Sequence, residues 1–476
     1  MRRSPQLARL GLVALLVGSI VETAPVRGAD PVPAAAATSP EPATHAESKR
    51  VVLRDAAAGR TLQTFCLGPD GRVFALVAAS VDYGVGDGAA AKAGGEIRVL
   101  DPTGVEQAKW SVDFTPERIA ASPDGRVYVG GNGRLACYTA EGKRLSECES
   151  PHLAAVLADP EALRRQAEEQ RKSMIDSYRE NVKQFEEQVK RLEEAARDEA
   201  KREPAKDKSS DQPKDAADGA SSTKRSSSSI LGAFFAIGSH GDVGEPNAAQ
   251  QLQNLRQAIG MYRRILDMHE KKTVDDVVRE ITARLQRIHG IAVSGNDVFV
   301  ATGVAKGYGY AVWRLSRDFA EPKQIVNGLS GCCGQLDIQA KGDELFVAEN
   351  SRHRVVRYDR DGKQLAAWGK RDREGAGAGF GGCCNPMNLC FTADGGVVTA
   401  ESEGRVKCFH GDGTFDRVLA DAKVGGGCKN VAVAVSPDGK QVYFYDQQGS
   451  QIIILDRNDS AAPKPAAKAN QVGQRS

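Results

Sequence analysis

The run Phe346-Val-Ala-Glu-Asn-Ser-Arg-His-Arg-Val-Val-Arg-Tyr-Asp359, with Leu345 before it, gives two short β-favouring stretches, Leu345–Ala348 and Val355–Tyr358, separated by a polar turn. A glycine turn, Lys341-Gly342-Asp343, precedes them, and Asp361-Gly362 follows. Gly and Asp accept the backbone angles of tight turns, so short runs between them predict antiparallel strands in a meander.

The same unit recurs outward in both directions. Its first turn falls at Asp70, Asp124, Asn296, Lys341, Asp394 and Asp438, with gaps of 54, 172, 45, 53 and 44 residues. Four gaps match one blade of about 40–50 residues. The long gap holds one blade plus roughly 125 more, a break in the repeat. Each unit is a four-stranded sheet that cannot bury both faces alone, and radial stacking solves this. The fold expected is mainly β: a six-bladed β-propeller of four-stranded antiparallel blades with an inserted α-helical coiled-coil hairpin. The sixth unit lacks a fourth strand. Arg50–Arg54 (RVVLR) is a spare strand, and pairing it with the last blade would close the ring and remove two sheet edges.

Phe346–Asp359, with Asp361-Gly362-Lys363 after it, resembles an NHL repeat, and Phe380-Gly-Gly-Cys-Cys-Asn-Pro386 resembles the start of the next one. The likeness is clearest over 329–457. NHL-type propellers bind proteins or RNA, and related six-bladed folds carry lactonase or lyase chemistry. The resemblance therefore implies a fold and leaves function open.

The domain plan expected is as follows. Residues 1–28 read as a signal peptide: Arg2 and Arg3, then an apolar run from Leu10 to Val21 too short to span a membrane, then Val26-Arg27-Gly28. The chain is expected to be exported, periplasmic or extracellular, with no membrane span. Residues 29–48 are a Pro/Ala-rich disordered spacer, 49–150 hold the closing strand and two blades, 284–458 hold four blades, and 459–476 are a disordered tail. The insertion covers 151–283. Its seams are Ile175, Tyr178, Val182, Phe185, Val189, Leu192 and Leu252, Leu255, Ile259, Tyr262, Leu266, both spaced 3 and 4. An antiparallel hairpin within one chain fits two seams that return to one ring; pairing between molecules would make a dimer. Residues 203–229 read as disordered, with the apolar Ile230–Ile237 after them as a packed plug or a partner contact. A third helix is expected from the N-cap Thr273 to Arg287, with Asp275 and Asp276 near its N-terminus and Val274, Val277, Val278, Ile281 and Leu285 on its apolar side.

Charge is nearly balanced, 64 Lys+Arg against 62 Asp+Glu, so no field favours nucleic acid. No nucleophile motif or phosphate loop is present. The candidate chemistry lies in cysteines. Cys332, Cys333, Cys383, Cys384 and Cys428 each sit in a loop before the first strand of a blade, which would bring them to one face. They read as inter-blade disulfides, as a thiolate metal or redox site, or as thiols without a role. Cys137 and Cys148 lie across a hairpin and suggest a structural disulfide. Loops on the same face carry Glu349, Asn350, Glu401 and Asp446, which could hold a divalent metal or simply serve turns. Arg352, His353 and Arg354 could meet an anion or, as the NHL resemblance implies, serve the turn and the strand start. The function expected is a scaffold binding a protein, peptide or glycan on this face; the alternative is a metal- or thiol-dependent enzyme there.

Overall fold

The computed structural model describes residues 43–79, 94–201, 248–332, 335–372, 377–425, 427 and 430–458. The expected signal peptide, the segments 203–229 and 230–237, and the tail 459–476 lie outside the described residues.

The described chain is mainly β, in six antiparallel sheets. Sheet 1 holds β2 (Arg54–Asp55), β3 (Arg60–Leu67), β4 (Val73–Ala79), β5 (Gly95–Leu100) and β6 (Glu106–Val112). Sheet 2 holds β7 (Arg118–Ala121), β8 (Val127–Gly131), β9 (Arg134–Tyr138) and β10 (Arg144–Glu149). Sheet 3 holds β11 (Ile288–Val293), β12 (Asp297–Gly303), β13 (Tyr310–Ser316) and β14 (Lys323–Leu329). Sheet 4 holds β15 (Asp337–Lys341), β16 (Glu344–Glu349), β17 (Arg354–Asp359) and β18 (Gln364–Trp368). Sheet 5 holds β19 (Asn388–Phe391), β20 (Val397–Ala400), β21 (Arg405–Phe409) and β22 (Phe415–Asp421). Sheet 6 joins β23 (Val433–Val435), β24 (Gln441–Asp446) and β25 (Gln451–Arg457) to β1 (His45–Val52).

Turn chemistry explains the repeat. Gly125 and Gly395 close the first turns of sheets 2 and 5 at φ +82° and +99°, a region open to glycine. Their amides donate to Ser122 and Thr392 carbonyls. First strands pack in sequence, β3 on β7, β7 on β11, β11 on β15, β15 on β19 and β19 on β23, and β23 meets β3 again. This is the ring of a β-propeller. Between neighbouring sheets lies an apolar layer, such as Phe346, Val355 and Leu389 between sheets 4 and 5. Both faces of most strands are covered, so β12 runs buried from Asp297 to Thr302.

Sheet 6 is completed from both ends of the described chain, with His45 opposite Arg457 and Val52 opposite Gln451. The strand starts at His45, inside the stretch read as spacer, and ends before Leu53. Its outward residues are polar and exposed, so no apolar pattern marked its bounds. Arg54 instead opens the two-residue β2, which gives sheet 1 a fifth strand.

The insertion comprises α1 (Pro151–Leu157), α2 (Pro160–Lys201), α3 (Ala248–Lys271) and α4 (Val274–Leu285). Arg171 reaches the Lys272 carbonyl, Arg179 pairs with Glu270, Arg263 with Glu186 and Arg256 with Glu193, so α2 and α3 run antiparallel within one chain. Ile175, Val182, Leu255 and Ile259 of the expected seams are buried. Tyr262 packs against Tyr178 and Phe185. Thr273 caps α4, exchanging hydrogen bonds with Asp276, which takes the boxing role. The helix stops at Leu285, two residues short of the expected Arg287. No described helix is long and apolar enough to cross a membrane.

Candidate functional site: a thiol cluster at one end of the ring

The loop from β14 to β15 carries Cys332, and the loop from β18 to β19 carries Cys383 and Cys384. Their three Sγ atoms all lie within 4.8 Å of one another. Cys384 is buried, Cys332 half-buried and Cys383 exposed. Cys333 and Cys428, the other two of the expected set, lie outside the described residues. Among the described residues, these three cysteines are the one group of metal-capable side chains that meets in this way.

Buried polar side chains at the ends of β16 and β20 hold both loops. Asn350 Oδ1 accepts the Cys332 amide at 2.7 Å, and Glu349 Oε1 accepts the Ser330 amide at 3.0 Å. Glu401 Oε2 accepts the Gly381 amide at 3.0 Å. Asn385, buried at a cis Asn385–Pro386 bond, donates to the Gly381 carbonyl at 2.9 Å and to Glu403 at 2.7 Å, and accepts the Ser402 amide. Lys407 has a fully buried side chain, with its ammonium 2.6 Å from Glu401 and donating to the Gly379 carbonyl. Burial pushes the Glu401 carboxyl up and the Lys407 ammonium down, and each is countered by the other's charge.

Glu349, Glu401 and Asp446, read from the sequence as either metal ligands or turn residues, all bond groups of the protein itself. Arg352 and Arg354 both bind Glu349, at 3.1 and 2.6 Å. Gln451 donates to Asp446 at 2.8 Å, and Arg50 lies 3.7 Å away. Asn350 serves the loop in the same way. Of the residues read as meeting an anion or serving the turn, Arg352 and Arg354 both pair with Glu349 beside them. His353 is buried in a left-handed turn (φ 52°), and burial, with Arg371 nearby, holds its imidazole below the usual range.

Cys137 and Cys148 are not bonded. The β9–β10 register sets Cys137 opposite Ser146 and Cys148 opposite Leu135, so the thiols are offset rather than facing. The hairpin folds about Glu141-Gly142 rather than about Gly142-Lys143, the centre that would set Cys137 against Cys148, and a sequence count does not reveal where it folds.

The hairpin shares the end of the ring that bears the thiols. Gln166 of α2 donates to the Ala305 carbonyl and Arg284 of α4 to the Gly307 carbonyl. Ala305 and Gly307 lie between β12 and β13, the loop that corresponds in sheet 4 to Asn350–His353. Ala305 also packs on Leu163, Ala167, Val277 and Ile281.

The sequence reading did not name the residues that line the channel. First strands of all six sheets enclose a cavity of about 230 Å³. Its polar wall includes Arg118, His289, Asp337, Asn388 and Asn430. Several of these side chains tie one blade to the next: Asp337 accepts the Leu389 amide at 2.8 Å, Asn388 the Val433 amide at 3.0 Å, and Arg118 donates to the His289 carbonyl at 2.7 Å. Asp337 opens to the channel but is surrounded by protein, and this desolvation raises its pKa to about 7. Lys407 was missed as well. Its position matches Val356 of β17, so a lysine within Val406-Lys-Cys-Phe409 was the available signal.

No family model matches the chain, and no curated protein matches it. Among solved structures, the WD40 β-propeller domain of Doa1 is 7% identical, covering 88% of this chain and 99% of that one at a TM-score of 0.37. The β-propeller domain of Cps50 (Swd1) from Myceliophteria thermophila is 11% identical, covering 87% and 100% at 0.38. A nidogen/laminin complex is 18% identical over 35% of this chain and 58% of that one, at 0.27. At such scores the assignment of a propeller rests on the chain's own strand order and ring contacts.

Proposed function

We propose that this chain is an exported, six-bladed, NHL-type propeller that acts as a binding scaffold for a protein or peptide, with a glycan as a further ligand class. The partner face is the thiol-bearing end, and the coiled-coil hairpin is its arm. The observation that carries this reading is the hairpin itself. Helix α2 has 42 residues, a length of about 60 Å. It meets the loops of the ring through Leu163, Gln166, Ala167 and Glu169, near its start. Tyr308, at the hairpin root, is fully exposed, and Met268 of α3 is 40% exposed. An exposed tyrosine beside a projecting arm suits recognition, since aromatic anchors dominate interface energetics. A thiol- or metal-dependent enzyme is the second reading, favoured by the three sulfurs.

A photo-crosslinking amino acid placed in turn at 308, 268, 361 and 438 tests the scaffold. The last two lie in turns at the opposite end of the ring. A discrete protein adduct from 308 or 268, absent from 361 and 438, is the expected result. Adducts from the opposite end alone, or the same adducts from all four positions, would overturn the assignment of the face.

A further inference from the structure

We propose that Cys332, Cys383 and Cys384 bind one soft, thiophilic d10 cation, of the Zn(II) or Cu(I) class, through three thiolates. The inference rests on sulfur geometry and stands independently of the scaffold. In a tetrahedral thiolate site with metal–sulfur bonds of about 2.3 Å, sulfurs are roughly 3.8 Å apart. The three sulfurs here are within 4.8 Å of one another, so closing on an ion needs side-chain movements of at most about 1 Å. Thiolates select soft ions over Mg(II) or Ca(II), which take oxygen donors. The carboxylates nearby are already occupied by Arg352, Arg354 and Lys407.

The site is built rather than incidental. Cys332 hangs from Asn350, whose side chain is buried, and Asn350 Nδ2 also contacts Met387 Sδ at 3.5 Å. Glu401, Asn385 and Lys407 fix Gly379 and Gly381 just before the Cys383–Cys384 pair. Fixing both loops sets the sulfur positions before any ion arrives, the role outer partners play in metal sites. Asn350 and Glu401 are thus positioning residues. On binding, three S–H bonds break, three protons pass to solvent, and three sulfur–metal bonds form. No electron is transferred.

The test uses the full chain, reduced with a phosphine and stripped of metal under argon. Zn(II) and, separately, Cu(I) are titrated with a chromophoric chelator in competition, and Cd(II) supplies a thiolate charge-transfer band. One equivalent with that band is the expected result, and the two arms show which ion is held more tightly. Affinity should fall more than 100-fold in Cys383→Ser/Cys384→Ser. It should fall about 10–100-fold in Asn350→Ala, by loss of outer-shell positioning. Cys390→Ser, outside the cluster, should bind as the parent does. If a cluster variant fails to fold, alkylation of the parent protein with and without metal replaces it, with peptide mass spectrometry locating the label. Protection of Cys332, Cys383 and Cys384 supports the site. Less than half an equivalent in reduced protein, an equivalent kept by the double variant, or equal alkylation with and without metal would each overturn it.

Discussion

Lys407→Met isolates the buried ion pair beside the thiol loop. The Lys407 side chain is wholly inaccessible and that of Glu401 nearly so, with 2.6 Å between charged atoms. At an effective dielectric of about 20, this separation corresponds to about 6 kcal/mol of attraction, offset by the desolvation of both ions. Met keeps most of the stem that lies over Phe380 but removes the charge and the bond to the Gly379 carbonyl. Glu401 is then a buried, uncompensated carboxylate, and breaking such a pair costs about 3–5 kcal/mol. For a ring of this size the melting temperature should drop by about 6–15 °C. Without its partner the Glu401 pKa rises further above that of the unfolded chain. Below the unfolded value both states are protonated; as pH rises through the folded value the stability is lost. The deficit should therefore be small near pH 4 and full at pH 8. Glu401→Gln/Lys407→Met retains an acceptor for the Gly381 amide without a charge and should recover most of the loss. Urea unfolding of the three proteins at both pH values measures this. A single variant within 1 kcal/mol of the parent, or a double variant no better than the single, would refute the reasoning.

Three further outcomes follow from the same fold. Gly413→Ala should destabilise by about 2–4 kcal/mol in thermal unfolding, since φ is +91° and an added Cβ would lie 2.6 Å from the Trp368 ring. His152, buried at the hairpin root between Ser150 and the Leu285 carbonyl, has its pKa lowered to about 4 by burial. Stability held by its neutral ring should be lost as pH falls from about 6.5 towards 4, by up to about 3 kcal/mol, with faster amide exchange in α1 and α4; His152→Gln should flatten that dependence. Asp337, raised to about 7, works in the opposite sense: stability drops as pH climbs between about 4 and 7. Asp337→Asn can keep the Leu389 bond and should stabilise the protein at pH 8, by at most about 4 kcal/mol and less where channel water reaches the carboxylate, with no gain at pH 4 in urea unfolding.

The ring was readable because its turns are local. Pro123-Asp124-Gly125 and Pro437-Asp438-Gly439 state their own backbone angles, and the apolar runs between them have strand length. The outer strand β1 was harder, since an edge-facing strand such as His45–Val52 has no apolar pattern to set its limits. The convergence of cysteines followed from their shared place before a first strand, and Cys332, Cys383 and Cys384 do meet. What Glu349 and Glu401 do was not readable. Their partners, Ser330 and Gly381, are backbone amides some twenty residues away, and an amide leaves no trace in side-chain identity. Cys137 and Cys148 were misjudged for a related reason: the centre of their hairpin, at Glu141-Gly142, is set by backbone pairing and not by side-chain identity.

Joining β1 to β25 couples the first described strand to the last, as in His45 opposite Arg457, and this dictates an order of assembly. Sheets 2 to 5 each draw on neighbouring segments and can form as the chain emerges. The layer between sheets 6 and 1 needs Leu62, Phe65 and Val73 from one end and Tyr443, Ile452 and Ile454 from the other. Until the last strand is made, that layer stays open to water, and the growing protein carries an adhesive seam that only its own final segment fits. A chain stopped short of residue 451 would lose more than one strand. It would present sheet 1 as an open apolar flank, which makes truncated products natural clients for chaperones and proteases.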